Sequence, residues 1–290
     1  MSVYRQIKLG LVTTTLRLCL GFYFFAGGIA SLYLALNTST QLNFIQSLIG
    51  SMGVINRFIN QLFLNWLSPW ALIMICASAS TIIGLALLTG IFTRLVCSAG
   101  ICALMLQWFA LPVLTIPHTF IPSPCYTIPA SLILSLQLGC IGFLICQCRL
   151  GPGPIALDRY LGFDKKPTNL TSAILWLRLG ISYPLLVGAL FGWHLQVPNF
   201  DVSPWLLLTL FITLYLPWQP FRRLAGGLLT LVVVWWMSHL VTPELGFWHN
   251  LLSIKITFVY FFIGLILTHV TQTPGSISSL QSNSLPTRVV

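Results

Sequence analysis

Residues 149–166 read RLGPGPIALDRYLGFDKK, and this stretch decides how the chain divides. It holds six of the eighteen acidic and basic side chains in a sequence of which only 6% is charged. Gly151, Pro152, Gly153 and Pro154 stop the preceding helix, because proline lacks a backbone donor and glycine favours left-handed backbone. The stretch is a polar hinge between two apolar halves.

Those halves set the class. Of the 290 residues 57% are hydrophobic, and the mean hydropathy is +0.90, so there is too little polar surface to enclose a soluble core. Apolar runs of about 20 residues recur along the whole length, each able to cross about 30 Å of hydrocarbon as a helix. Lipid admits only helices or closed barrels, and these runs lack the strict alternation of barrel strands. The expected fold is all-α: a polytopic membrane protein of about eight transmembrane helices, in two four-helix bundles that are candidates for a tandem repeat.

The formal net charge of +10 would suggest nucleic acid if it lay on one soluble face. Instead the cations fall at alternate ends of the apolar runs, which makes them topology anchors beside anionic lipid. No nucleic-acid partner is expected; the lipid bilayer is.

The expected spans are residues 16–36, 70–92, 95–114, 128–148, 173–193, 204–218, 224–241 and 251–270. The basic N-terminal residues precede an apolar run too long for a signal peptide, so the first span is read as uncleaved. Arg5, Lys8, Arg94, Arg149, Arg159, Lys165, Lys166, Arg222, Arg223 and Arg288 then share one side, against Arg57 alone in an opposite loop. Both termini are expected in the cytoplasm, with the chain multi-pass in the cell inner (plasma) membrane.

Four units follow. Residues 1–163 form a first four-helix unit whose segment 38–68 carries apolar residues at helical spacing, the pattern of an amphipathic helix on the outer face. Residues 164–172 are a cytoplasmic linker, 173–270 a second four-helix unit, and 271–290 a Ser/Thr-rich tail expected to be disordered. Leu16-Arg17-Leu18 answers Leu177-Arg178-Leu179, and the Thr93-Arg94-Leu95 turn answers Arg222-Arg223-Leu224. Duplication explains these matches, and so does independent placing of arginines at helix ends.

Three stretches in the first half resemble the DoxX-like membrane family. They are RLCLGFYFFAGG at residues 17–28, IGLALLTGIFTR at 83–94 and GPGPIALDR at 151–159. The long segment between the first two spans is similar to the DoxD branch, the large subunit of thiosulfate:quinone oxidoreductase. Residues 71–79 lack the acidic residue that many DoxX-like proteins carry there. The resemblance implies a membrane subunit of a quinone-linked oxidoreductase, with sulfur-compound oxidation as its finer form. It also implies quinone as cofactor and a protein partner in a membrane redox complex. The alternatives are a non-catalytic scaffold or assembly subunit of such a complex, and a small-solute transporter.

Few side chains could carry chemistry. His118, His194, His239 and His249 fall at the outer ends of spans with Glu244, where imidazoles could hydrogen-bond and deprotonate a quinol. Loop histidines are also commonplace at interfaces; no pair has tight ligand spacing, and no metal is assigned. Lys255 lies inside the last span, where an ionisable group costs roughly 2.5–3.5 kcal/mol at mid-membrane. Asp201 and Glu244 are its expected partners, in an interfacial ion pair preferred over a proton relay. Arg17 and Arg94 are the candidate cofactor-binding residues. For Arg17 the plainer reading is a snorkelling topology anchor, and the functional one is pairing with Asp158, Asp164 or an anionic headgroup. The eight cysteines form no C-x-x-C pair; seven lie in or near spans and read as packing residues, and Cys125 alone belongs to an exposed loop, so no disulfide framework is expected.

Overall fold

The computed structural model describes residues 3–37, 68–110, 120–122, 127–163, 170–191, 193–194, 201–216, 219–241 and 246–269. The amphipathic segment, most of the linker and the C-terminal tail lie outside them.

The first helix, α1, runs Val3–Leu36 and is about 51 Å long at 1.5 Å per residue. It begins well before residue 16, because Arg5 and Lys8 mark a membrane boundary without interrupting helical backbone. α2, Pro69–Thr89, has both of its ends written locally. The Ser68 side chain accepts from Ala71 N–H at 3.2 Å, Pro69 supplies a preset first turn, and Gly90 closes the helix at φ 74°. α3, Thr93–Ala110, starts after a turn of only three residues.

Two short antiparallel ladders follow at the ends of helices. β1, Phe120–Pro122, pairs with β2, Thr127–Pro129. After it come α4, Ala130–Leu150, the single turn α5, Leu157–Tyr160, and α6, Leu170–Phe191, with Pro184 inside it. The second ladder joins β3, Trp193–His194, to β4, Asp201–Val202, and β2 lies against β3. Three helices complete the described chain: α7, Pro204–Tyr215; α8, Gln219–Leu240; and α9, Gly246–His269.

The long helices pack in chain order, and the last returns to the first. α1 lies on α2, α2 on α3, α3 on α4, α4 on α6, α6 on α7, α7 on α8, α8 on α9, and α9 on α1. One buried apolar cluster runs through this ring without a break at the hinge: Leu20 and Phe24 of α1, Phe143 of α4, Ile181 of α6, Leu210 of α7, Val233 of α8 and Ile263 of α9 all belong to it.

In lipid such a core is held by van der Waals fit, and glycines let backbones approach. At the α1–α2 contact a Cβ on Gly84 would lie 2.5 Å from Phe25 Cα. The outward faces are apolar: Ile82, Leu95, Leu106, Leu190 and Leu231 are exposed. Four helical segments, Leu9–Leu36, Thr171–Leu190, Pro220–Leu240 and Gly246–Thr268, are long and apolar enough to cross a membrane by length and composition. The chain is a helical, multi-pass membrane protein whose outer surface contacts lipid.

Candidate functional site

Among the described residues the buried charged side chains are Arg17, Asp158 and Arg222, and Lys255 is half-buried. Arg222 Nε donates to Leu216 O at 3.0 Å at the start of α8, and the other three mark two places. The first is the hinge. After α4, the Gln147 amide donates to Gly151 O at 2.7 Å and Gly151 N–H donates to Gln147 O at 2.9 Å. Gly151 at φ 88° and Gly153 at φ 84° then turn the chain back under the helix ends, a path costly for residues with a Cβ.

This return delivers Asp158 to the start of α3. Its carboxylate accepts from Phe92 N–H at 2.6 Å and from Thr93 N–H at 2.8 Å, and its own N–H donates to Gly90 O at 3.0 Å. The first N–H groups of a helix have no intrahelical acceptor and carry positive partial charge, so a buried carboxylate there is a cap supplied from 65 residues away.

Arg17 joins the same cluster. It is 2% exposed, so it does not snorkel to water. Its Nη2 donates to Ile155 O, Gly90 lies against its Nη1, and Asp158 is within electrostatic reach. Among the described residues Arg17 Nε and Nη1 and Thr93 Oγ1 have no hydrogen-bond partner. Chemically this is a latch: a cation and an anion from distant segments close one end of the bundle.

The second place lies between α1 and α9. Lys255 is the single charged residue of α9, nine positions or about 14 Å from its start. Its Nζ lies 5.4 Å from the Tyr23 ring centroid, a cation–π distance, and 2.7 Å from where a Cβ on Gly27 would stand. Cys140 of α4 is within electrostatic reach of Lys255, Cys19 and Tyr23. Tyr260 Oη, one turn further along α9, donates to Leu136 O at 3.0 Å in the core. Phe22 and Phe258 meet across the same seam with ring centroids 4.6 Å apart.

The outer-end candidates fare differently. His118 and Glu244 lie outside the described residues. His194 on β3 pairs in register with Asp201 on β4. The His239 ring Nδ1 lies 2.8 Å from Trp235 O and 3.2 Å from Ser238 Oγ, with its ring edge-on to Trp235. His249, half-buried in the first turn of α9, has its carbonyl accept from Ser253 Oγ at 2.9 Å. Among the described residues no three metal-capable side chains converge. Arg94 follows the residues Asp158 caps, and its carbonyl accepts from Ser98 Oγ at 3.1 Å.

Sequence reasoning singled out Lys255 and missed what it faces. Tyr23 and Gly27 stand one turn apart on α1 and so share a face; that spacing becomes informative only once α9 is known to pack there.

The family model for DoxX matches residues 12–112, which take in most of α1 and all of α2 and α3. No curated protein and no solved structure matches the chain.

Proposed function

We propose, from the DoxX domain at residues 12–112, that the chain is the membrane subunit of a quinone-linked oxidoreductase of the DoxD branch. It would pass electrons from a small sulfur compound, or from a partner protein, to quinone. One observation carries this reading: the DoxX family includes quinone oxidoreductase subunits. The sorting of cations to alternate ends supports an inner-membrane orientation with both termini cytoplasmic. The packing order supports a parallel repeat, since α1–α4 and α6–α9 each pack in succession and meet at two seams, α4–α6 and α9–α1.

The test is purification of the full chain in mild detergent, with solvent extraction and mass spectrometry for quinone and a reductase assay using thiosulfate and decylubiquinone. The reading expects extractable quinone, on the order of one per chain for a single specific site, and reduction that needs the chain. A quinone-free preparation with no reductase activity, tested with any co-purifying partner in place, contradicts it. Unchanged turnover after joint replacement of His118, His194, His239 and His249 would remove the outer histidines from the mechanism and leave the quinone reading standing.

A further inference from the structure

The two seams that join the halves are built differently. At α4–α6 the backbones touch: a Cβ on Gly142 would lie 2.9 Å from Gly180 Cα, and one on Gly180 would lie 2.7 Å from Gly139 O. At these glycines backbone lies directly on backbone. At α1–α9 the contact is made by side chains: Lys255 Nζ lies over the Tyr23 ring and against Gly27, and Phe22 meets Phe258.

Lys255, Phe258 and Phe262 follow one another at i, i+3 and i+7, so they line a single stripe of α9. All three stay half-buried. An aromatic stripe with accessible surface therefore leads along the seam to an ammonium group. That ammonium has three donors and no acceptor of its own. Asp158, the one acidic side chain whose contacts are described, is committed to the start of α3. The Tyr23 ring stabilises the cation through its face and accepts none of its conventional hydrogen bonds.

A ligand that completes such a site must be apolar enough to arrive through hydrocarbon, flat enough to lie against Phe22 and Phe258, and must present an acceptor oxygen to Lys255. We infer that the α1–α9 seam holds a quinone headgroup, with Lys255 Nζ donating to one of its carbonyl oxygens. The inference rests on the quinone-linked reading and adds the place and the donor. Lys255 acts here as a binding residue. The site lies along the α1–α9 seam, about 9 Å along α9 from His249.

The experiment is a titration of the full chain in detergent with decylubiquinone, read by quenching of intrinsic fluorescence, with n-decanol as the tail-only control. Lys255→Met keeps the stem and removes the donor, and is expected to weaken binding at least tenfold. Gly27→Ala keeps the charge but displaces Nζ from its present position, and is expected to weaken binding about threefold even if Lys255→Met fails to fold. Undiminished affinity in both variants would overturn the seam site while leaving the quinone-linked reading intact. No saturable binding to the wild-type chain, or equal quenching by n-decanol, would overturn both.

Discussion

Replacing Asp158 with alanine is expected to lower the thermal midpoint of the purified chain by roughly 6–10 °C, from a loss of about 3 kcal/mol. The carboxylate is 4% exposed and accepts from two backbone N–H groups at the start of α3. Alanine leaves both donors orphaned away from water and leaves the buried Arg17 guanidinium without the nearest compensating charge. Loss of a helix cap alone costs about 0.5–2 kcal/mol, so an effect near 3 kcal/mol would show that the charge matters beyond the cap. Asp158→Asn retains one acceptor oxygen and no charge, and should fall between. Differential scanning fluorimetry in one detergent measures all three proteins. A midpoint for Asp158→Ala within about 2 °C of wild type would mean that the hinge rests against the bundle without locking it.

The other large effect is expected at Gly84. Alanine there places a methyl carbon 2.5 Å from Phe25 Cα and 2.7 Å from Phe25 Cβ. The clash is with main chain, which cannot rotate away, so α1 and α2 must separate. Overpacking of this kind typically costs about 1–3 kcal/mol, and rigid backbone on both sides puts Gly84→Ala at the upper end. The contrast is Gly227 in α8, where an added Cβ meets nothing within 4 Å. Gly227→Ala should leave stability unchanged or raise it by up to about 1 kcal/mol, because helical alanine loses less entropy than glycine on folding. Membrane accumulation and thermal midpoint read both changes. Equal behaviour of the two alanines would mean that α1–α2 contact is not set by glycine at this position.

The elements that carry their own boundary chemistry were legible in the sequence. The expected span 70–92 lies within three residues of both ends of α2, Pro69–Thr89, where Ser68 and Gly90 supply the caps. α1 is harder: the expected span begins at residue 16, after Arg5 and Lys8, whereas the helix already runs from Val3. The two ladders, β1–β2 and β3–β4, are too short to leave a periodic signal against their prolines and polar flanks.

At the site, residue type was readable and partnership was not. Lys255 stands out as a lone charge in an apolar span, and Arg17 and Asp158 as charges at a helix end and a hinge. That Asp158 caps α3, and that Lys255 meets Tyr23 and Gly27, depends on which helices pack together; no local pattern encodes that choice. The ion pair anticipated for Lys255 drew on Asp201 and Glu244 because acids are scarce; Glu244 and the Asp201 side chain lie outside what the structure describes, and the described neighbour of Lys255 Nζ is the Tyr23 ring. The histidines are expected at one end of the spans; among the described residues the His239 ring meets Trp235 O and Ser238 Oγ on its own helix.

The most direct test of a quinone seated between the halves is photolabelling of the full chain in native membranes with an azido-quinone, followed by peptide mapping. The account predicts adducts on α1 within residues 22–29 and on α9 within residues 255–262, suppressed by excess decylubiquinone. Specific labelling confined to other helices, or labelling that excess quinone does not suppress, would contradict it.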